Sequence, residues 1–333
     1  MSRPIRTLTL NPALDRTVLI EDFSVNQVNR IQASRLDAGG KGINVSKSIH
    51  AFGGASCAYG VAAGSAGRFI ASYLTDLGIE HQFVWVDGET RTNIKIVDPR
   101  NRTHTDINDQ GPELTGAALA ELESLLFAGA DRETILVFSG SIGRGTPADI
   151  YKKWIQKARS IGCRTILDAD GEALRLGIEA GPTLVKPNIH ELERLVGRSF
   201  QEPAAQALQD IAAAALRLLD SGTETVVVSL GAEGALFLNR QEALYAKGLP
   251  VEAKSTVGAG DAMVAALAMS LERHEPLERH EALDQHMPLS AMVAAAIGAG
   301  AAAVAVEGTV APSRADLEHY ASQVTYISLK ELL

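Results

Sequence analysis

The chain has 333 residues with a formal net charge of −9, and 46% of its residues are apolar but only 5% aromatic. The length suits one large α/β domain with an appendage, or two average domains, and the abundant Ala and Gly suit helices packed closely against a sheet. The acidic balance, with no run of Lys and Arg, argues against nonspecific nucleic-acid binding, so any affinity for phosphate must be local.

The cysteines and the apolar segments argue against a protein built on disulfides or a thiolate zinc site, and against a membrane protein. Cys57 and Cys163 are far apart and have no Cys-x-x-Cys partner, so neither a disulfide framework nor a thiolate zinc site is indicated. The N-terminus carries no apolar signal segment. Residues 291–306 resemble a membrane span only weakly, and their Gly298 and Gly300 favour a tightly packed, buried helix. We expect a cytoplasmic protein with no membrane partner.

Strand and helix patterns alternate along the chain. The predicted strands are residues 6–10, 56–61, 134–139, 164–168, 183–186 and 225–230, with helical patterns between most of them. Their apolar character predicts a parallel sheet buried on both faces, as in a doubly wound α/β fold.

Two regions, 17–35 and 90–108, depart from this alternation. In the second, residues 92–97 and 103–107 alternate apolar and polar side chains around a turn at residues 99–102, which predicts an antiparallel hairpin. Both regions are interpreted as strands of a small lid. Residues 272–287, rich in Glu and His, are interpreted as a solvated connection. A metal site is not expected there, because His274, His280 and His286 are six residues apart and do not share one helix face.

The first glycine-rich turn that could bind a ligand covers residues 37–45. The turn contains Gly39, Gly40 and Gly42, which leave backbone N–H groups accessible. Lys41 adds a positive charge before a predicted helix at about residues 45–52. A phosphorylated polyol would fit this turn. It matches neither the Walker A pattern nor Gly-x-Gly-x-x-Gly, and a simple turn with a surface lysine is the alternative.

Two more turns follow predicted strands. Asn188 and Glu191 lie three residues apart after Lys186, so both can face one side of a helix opening, where Glu191 could orient Mg²⁺ through water. The alternative is a capping box with Asn188 as N-cap. Residues 229–234 offer a hydroxyl and a compact turn beside a nucleotide, or only a β-turn between two strands.

The most informative segment is the turn at residues 255–261, followed by a predicted helix at residues 262–271. Gly258 and Gly260 allow close approach of an anion to the free N–H groups of a helix N-terminus, where the helix dipole favours phosphate. Asp261 could take a proton from an attacking hydroxyl. An acidic residue that only complements the dipole is the alternative. Four glycine-bearing turns at successive strand ends, one with such a carboxylate, together favour phosphorylation of a sugar or alcohol.

These motifs resemble the ribokinase-like PfkB carbohydrate kinases over nearly the whole chain. The resemblance is carried by Thr-Leu-Asn-Pro-Ala-Leu-Asp at residues 9–15, the turn at 39–45, Lys186-Pro187-Asn188 with Glu191, and residues 255–261. Within the family, residues 90–95, 105–112 and 229–234 are most similar to bacterial 1-phosphofructokinases. Tagatose-6-phosphate kinases and minor 6-phosphofructokinases are near relatives.

The resemblance implies a ribokinase-like α/β fold over residues 1–333: a doubly wound, mostly parallel sheet flanked by helices, with a small β-sheet lid whose strands lie within about 15–37 and 90–109. It implies ATP and Mg²⁺ as cofactors and a sugar phosphate as substrate, with fructose 1-phosphate converted to fructose 1,6-bisphosphate as the expected reaction. Tagatose 6-phosphate and fructose 6-phosphate are the alternative substrates, and a non-catalytic sugar-phosphate sensor is an alternative of another class. A homodimer through the lid is also implied.

The family's site residues can be placed on matching positions. The resemblance implies Asp261 as base with an anion hole from the N–H groups of Gly258, Ala259 and Gly260. It implies that the sugar hydroxyls are held by Asp15, Gly39, Gly40, Lys41 and Asn44, and the substrate's phosphate by Arg91 with Arg30 and Ser141. It implies that ATP is held by Lys186, Asn188 and the turn of Ser229, Leu230, Gly231, Ala232, Glu233 and Gly234, with Glu191 ordering Mg²⁺ and the adenine near residues 295–298.

Two departures from the family pattern stand out. Relatives usually have Gly-Ser-Leu-Pro-x-Gly where this chain has Gly-Ser-Ile-Gly-Arg-Gly at residues 140–145, which changes the loop around Ser141 and adds Arg144. After Asp261 the usual Ser is replaced by Ala262, a loss expected to affect capping of the helix more than chemistry.

Overall fold

The computed structural model describes residues 4–200, 205–273, 288–308 and 310–329. The predicted solvated connection, with His274, His280 and His286, falls outside them apart from its first two residues. The strands are β1 (Ile5–Thr9), β2 (Ala13–Leu19), β3 (Ala33–Gly39), β4 (Ser56–Ala62), β5 (Glu80–Trp85), β6 (Arg91–Asp98), β7 (Thr103–Ile107), β8 (Ile135–Ser139), β9 (Arg164–Asp168), β10 (Leu184–Val185), β11 (Thr225–Ser229), β12 (Ala235–Leu238), β13 (Ala243–Ala246) and β14 (Tyr326–Ser328). The helices are α1 (Lys41–Ala51), α2 (Gly64–Asp76), α3 (Gly116–Phe127), α4 (Ile150–Ile161), α5 (Gly171–Ile178), α6 (Ile189–Val196), α7 (Ala205–Leu216), α8 (Ala259–Arg273), α9 (Ser290–Val304) and α10 (Arg314–Ala321).

Within the described residues, ten strands form one large sheet in the order β14-β13-β12-β11-β10-β9-β8-β1-β4-β5. All six predicted strands are present, and they are six adjacent parallel strands, from β11 to β4. β5 extends the parallel part at one edge, whereas β12, β13 and β14 are antiparallel at the other. The predicted mostly parallel sheet is therefore confirmed.

Both faces of the large sheet are buried, because alternate strand residues contribute to two different cores. In β8, Ile135 and Val137 belong to the core shared with α1, α8 and α9. Leu136 and Phe138 belong to the core shared with α3, α4 and α5 on the opposite face. Burying an aliphatic side chain of this size stabilises the fold by about 1.5–3 kcal/mol. The continuous apolar strands of the sequence are explained by this double burial.

The Ala-rich segment at 291–306 forms α9, a buried helix as predicted. Its glycines allow close helix packing, since a Cβ at Gly298 would overlap Ala321 of α10, and one at Gly300 would lie 3.2 Å from the Met263 side chain of α8. Among the helices that the structure describes, none is both long and apolar enough to cross a membrane.

A separate four-stranded sheet has the order β3-β2-β6-β7. The predicted hairpin is present, with β6 and β7 antiparallel, and β2 pairs with β3 antiparallel and with β6 parallel. The first predicted region, 17–35, is too short at both ends. Its strands run over Ala13–Leu19 and Ala33–Gly39, and residues 20–32 connect them without strand structure. Asp98 ties this connection to the hairpin turn, since its carboxylate accepts from the N–H groups of Asp22, Phe23, Arg100 and Asn101.

The turn between β11 and β12 gives a stability prediction. Gly234 has a φ of 101°, a backbone conformation that residues other than glycine rarely adopt, and a Cβ there would overlap the backbone oxygen of Ala246. We expect Gly234→Ala to lower the free energy of unfolding by at least about 2 kcal/mol, measured by urea denaturation. Gly231→Ala is the matched control, because a Cβ there meets no atom within 4 Å, and it should cost about 1 kcal/mol. Equal losses would contradict the role of the overlap.

Candidate active site

The glycine turn after β3 ends in a helix that begins earlier than predicted. α1 starts at Lys41, four residues before the predicted start at residue 45. Gly40, with a φ of 110°, follows the last residue of β3 and is the N-cap, and its carbonyl accepts the first helical bond from the N–H of Asn44 at 2.9 Å. Lys41 and Asn44 therefore both lie in the first turn of α1, where N–H groups lack helical partners.

The turn at 255–261 also leads into a helix that begins earlier than predicted. α8 begins at Ala259, and the carbonyl of Gly258 accepts from the N–H of Ala262 at 2.9 Å. The N–H groups of Gly258, Ala259 and Gly260 precede that bond, so the predicted anion hole has the geometry of an open helix N-terminus. One expectation is wrong. This turn does not follow a strand but an irregular segment, residues 247–258, because α8 reaches the site from a long connection after β13.

Asp261 lies in the first turn of α8 and is only 7% exposed. Its Oδ2 accepts a hydrogen bond of 2.9 Å from the side-chain amide of Asn44, which joins the two helix N-termini. Burial, reinforced by the negative charge of Asp168, raises the pKa of the Asp261 carboxyl to about 6, against the opposing effect of the Asn44 bond. A carboxyl with that pKa can both accept and release a proton near neutral pH.

Asp168 links two lysines on different elements. It ends β9, and its Oδ1 lies 3.2 Å from the Nζ of Lys186 and 3.5 Å from the Nζ of Lys41. Burial opposes ionisation of Asp168, but the two lysines outweigh it and hold its pKa below the usual range. The same carboxylate raises the pKa of Lys41. The Nζ of Lys186 lies 3.5 Å from where a Cβ of Gly260 would be, so both cations are close to the anion hole.

Asp168 was missed as a site residue in the sequence, although its strand was predicted. The available signal was its place at the carboxyl end of a parallel strand, the edge where ligands bind in such sheets. That signal applied equally to the other strands, and no glycine turn or motif distinguished it.

Glu191 and Asn188 form the capping box that was the alternative interpretation. The side chain of Asn188 accepts from the N–H of Glu191 at 2.9 Å, and Glu191 Oε2 accepts from the N–H of Asn188 at 2.8 Å. Glu191 is also buried, and this burial raises its pKa while the nearby charge of Lys41 opposes the rise. The cap uses one carboxylate oxygen for the backbone, so it does not exclude a role toward a metal ion.

The donor set near Glu191 suits a magnesium ion that is bound partly by phosphates. In the part of the chain that the structure describes, no three His, Cys, Asp or Glu side chains are grouped to hold a metal ion. Mg²⁺ is commonly bound by one or two carboxylates together with substrate phosphates and water. Glu191, which interacts electrostatically with Asp168, meets that requirement, and the charges of Lys41 and Lys186 that also act on Glu191 suit phosphates.

The turn of residues 229–234 connects β11 to the antiparallel β12, as the β-turn alternative required. Ser229 forms an isolated parallel β-bridge with Asn188, and its N–H donates to the carbonyl of Pro187 at 3.1 Å. The hydroxyl of Tyr245 donates to the Glu233 carbonyl at 2.8 Å and supports the turn from β13. The turn therefore lies directly beside the Asn188 helix start.

The small sheet presents a polar face to these helix starts. Asp15 of β2 is directly opposite Asp37 of β3 and Asn93 of β6, and all three are buried. The amide of Asn93 donates to Asp15 Oδ1 at 3.0 Å, and the Nζ of Lys95 lies 3.6 Å from Asp15 Oδ2. Gly39 lies beside this group, since a Cβ there would lie 2.6 Å from Asp15 Oδ2. Asp37, Asn93 and Lys95 were not proposed from the sequence, and only the strand register brings them together.

Arg91 begins β6 on the same face as Asp15, because it is directly opposite Ala13, two residues along β2. Its guanidinium donates to the backbone oxygens of Asn11 at 3.0 Å and Pro12 at 3.4 Å. These contacts hold a cation at the edge of the polar face, next to the glycine turn that Gly39 opens.

Ser141 and Arg30 are the two remaining predicted residues. Ser141 is half-buried after Gly140, whose Cβ position would be 3.4 Å from the Lys41 Cβ, so the 140–145 loop lies next to the first turn of α1. Arg30 is exposed in the connection between β2 and β3. Among the described residues, no hydrogen bond or ion pair joins Arg30 to the other predicted residues.

The assembled group has the parts that phosphoryl transfer requires. A carboxylate able to accept a proton lies at an open helix N-terminus, two lysines and free N–H groups can stabilise a transferring phosphoryl group, and a polar sheet face can bind hydroxyls.

Comparison with known proteins agrees with this chemistry. A model of the pfkB family carbohydrate kinases matches residues 9–316. The 1-phosphofructokinase of Xanthomonas campestris pv. campestris is 40% identical over 280 residues, which are 81% of this chain and 85% of that protein. Phosphofructokinase-2 from Escherichia coli in complex with potassium has a TM-score of 0.87 at 32% identity, covering 97% of this chain and 99% of that one. The same enzyme in complex with fructose-6-phosphate has a TM-score of 0.84 at 30% identity, again covering 97% and 99%. The chain belongs to the pfkB family of carbohydrate kinases.

Proposed function

We propose that this protein is a 1-phosphofructokinase, which transfers the γ-phosphoryl group of ATP to fructose 1-phosphate and forms fructose 1,6-bisphosphate. The nucleotide and the metal of kinases of this type are ATP and Mg²⁺. The observation that carries the proposal is the Asp261 carboxylate, held by Asn44 at the mouth of α8. The similarity to a 1-phosphofructokinase at 40% identity supports the choice of sugar phosphate. With ATP and a sugar phosphate as its substrates, we assign the enzyme to the cytoplasm.

In the proposed mechanism Asp261 accepts the proton of the sugar hydroxyl as that oxygen attacks the γ-phosphorus, and the bond from this phosphorus to the β–γ bridging oxygen breaks to release ADP. The N–H groups of Gly258, Ala259 and Gly260 stabilise the negative charge on the transferring group. The sugar is oriented by Asp15, Asn44, Lys41 and the backbone of Gly39 and Gly40. Its phosphate is bound by Arg91 with Ser141. Residues 1–333 form one domain in this proposal, and its small sheet is a lid. Arg30 joins Arg91 and Ser141 when this lid closes.

The nucleotide is assigned to the opposite side of the anion hole. Lys186, Asn188 and the turn of residues 229–234 hold ATP, with its adenine near residues 295–298 of α9. Glu191 would order Mg²⁺, which would neutralise phosphate charge when bound. Asp168 Oδ1 lies 3.5 Å from the Nζ of Lys41 and 3.2 Å from the Nζ of Lys186, so one buried carboxylate holds both lysines beside the proposed anion hole, which supports this assignment.

One assay tests the proposed reaction. ADP release is measured with ATP and Mg²⁺ against fructose 1-phosphate, tagatose 6-phosphate and fructose 6-phosphate under identical conditions. The expected result is the highest kcat/KM with fructose 1-phosphate. A higher value with either 6-phosphate would overturn the choice of substrate, and absence of turnover with every sugar would support a non-catalytic sensor instead.

A 6-phosphofructokinase is the second candidate. It is favoured by the structural similarity to the Escherichia coli enzyme in complex with fructose-6-phosphate. The two activities differ in which end of the ketohexose carries the phosphate, and the same panel of sugars distinguishes them.

The outer face of the small sheet supports the proposed homodimer. Leu36, Arg16, Ile94 and Ile107 are opposite one another across β3, β2, β6 and β7, on the face away from Asp15. Leu36 and Ile107 are 42% and 52% exposed. A second copy of this chain would cover the apolar side chains of this row. Leu36→Asp should raise the fraction of monomer in light scattering, whereas Trp85→Asp, at an apolar site on β5 that is 52% exposed, should not. An unchanged mass for Leu36→Asp would contradict a lid-mediated dimer.

The pKa of Asp261 gives a pH prediction. A base must be ionised, and burial raises the pKa of this carboxyl to about 6. We therefore expect kcat at saturating substrates to fall tenfold for each unit of pH well below about 6 and to level off above about pH 7. A profile that stays flat down to pH 5 would show that Asp261 does not limit the rate as a base.

A further inference from the structure

Lys47 of α1 is a buried cation that none of the proposed roles uses. It is 4% exposed, and its Nζ donates to the backbone oxygen of Ala38 at 2.9 Å. The same nitrogen lies 3.4 Å from Asn44 Oδ1 and 5.7 Å from the centroid of the Tyr73 ring. Among the described residues, no carboxylate lies within 4.0 Å of it. Burying a lysine is costly, so a cation in this position needs an explanation beyond packing.

The contacts of Lys47 determine which way the Asn44 amide points. A side-chain amide carries a donor and an acceptor end that can exchange by rotation, but a lysine ammonium can only donate. The acceptor Oδ1 of Asn44 must therefore face Lys47, which directs the donor Nδ2 to Asp261 Oδ2 at 2.9 Å. With the amide reversed, its oxygen would face the carboxylate and repel it.

The charges around these groups come from several elements. Asp261 faces Asp168 of β9, Lys41 and Lys47 of α1, and Lys186 after β10; Lys47 faces Asp37 and Arg35 of β3, Asp15 of β2 and Tyr73 of α2, as well as Asp261. Burial lowers the pKa of Lys47, whereas the charges of Asp37, Asp15 and Asp261 oppose that fall. Removal of the Lys47 charge would leave these carboxylates less compensated, and the proton affinity of Asp261 would rise.

We propose that Lys47 is a positioning residue for the phosphoryl transfer, which holds the Asn44 amide with its N–H toward Asp261 and so keeps that base ionised. This inference rests on the proposed function of Asp261. The alternative is a structural role, in which Lys47 only anchors α1 to the Ala38 carbonyl and balances Asp15 and Asp37.

The test compares the pH profile of kcat of the wild-type protein with that of the Lys47→Met variant. The positioning role predicts that the acidic limb moves to higher pH by about one unit, so kcat falls about tenfold at pH 5.5 but less than about twofold at pH 8. Lys47→Arg, which keeps the charge and the donor, should restore most of the profile. Should Lys47→Met fail to fold, Lys47→Gln keeps a donor without the charge and should move the limb in the same direction.

A control separates this role from a structural one. Arg6→Met removes another buried cation, on β1, whose guanidinium donates to the Leu126 and Ala128 carbonyls. It should lower the melting temperature without moving the acidic limb. A Lys47→Met profile lowered by the same factor at every pH, with an unmoved limb, would overturn the proposal.

An infrared titration tests the inference without turnover. The difference between wild type and Asp261→Asn isolates the carbonyl stretch of protonated Asp261, which can be followed against pH. The same difference taken in the Lys47→Met background should titrate at a pH about one unit higher. Equal titration midpoints would overturn the positioning role, even if no sugar in the substrate panel is phosphorylated and the proposed function fails.

Discussion

Asp261→Asn should retain the fold and ATP binding but lose turnover by about 10²–10⁴-fold, the usual contribution of a general base. The substitution changes almost no volume in a side chain that is 7% exposed, so packing of α8 is preserved. The new amide cannot accept a proton, although the N–H groups at the mouth of α8 can still bind phosphate. The measurements are kcat for ADP release with fructose 1-phosphate, nucleotide affinity by calorimetry, and thermal unfolding.

Asp37→Asn is the matched control for loss of a buried negative charge near the same site. Asp37 is 6% exposed on the inner face of the small sheet, and Arg35 donates to it at 2.8 Å. We expect its kcat to fall by less than about tenfold, since it accepts no proton in the reaction. Near-normal turnover of Asp261→Asn would remove Asp261 from the role of base. Equal losses in both variants would indicate an effect of charge on the site rather than proton transfer.

Arg91→Ala should raise the KM for the sugar phosphate by about tenfold to a hundredfold, while the KM for ATP changes by less than about threefold. A charged hydrogen bond to a ligand contributes about 1.5–3 kcal/mol, which corresponds to that range. The guanidinium is already held by the Asn11 and Pro12 carbonyls, so little side-chain freedom is lost when the phosphate binds. Initial rates with each substrate varied in turn measure both constants.

Arg100→Ala is the control for a lost arginine in the same sheet. Arg100 lies in the turn between β6 and β7, outside the outer-face row, and 68% of its side chain is exposed. Its removal should leave both KM values within about twofold. An Arg91→Ala variant with equal changes in the two constants would argue against phosphate recognition at this position.

Predictions from the sequence were most successful where a pattern is local. The six parallel strands β1, β4, β8, β9, β10 and β11 were recognised because side chains buried on both faces of a parallel sheet make short continuous apolar segments. The hairpin of β6 and β7 was recognised from alternation around a turn. Helix starts were less accurate, since the glycines before α1 and α8 were treated as loop although the helices already begin at Lys41 and Ala259.

By itself, the sequence determined the class of fold, the small sheet and the glycine turns beside Lys41, Lys186 and Asp261, because each depends on residues close together in the chain. Only the tertiary structure decided that Asn44 bonds to Asp261, 217 residues away, and that Asp168 lies between two lysines. Strand order and register set those distances, and no spacing along the chain encodes them. The raised pKa of Asp261 has the same origin, since it follows from burial and from Asp168, which β9 brings to the same edge of the sheet.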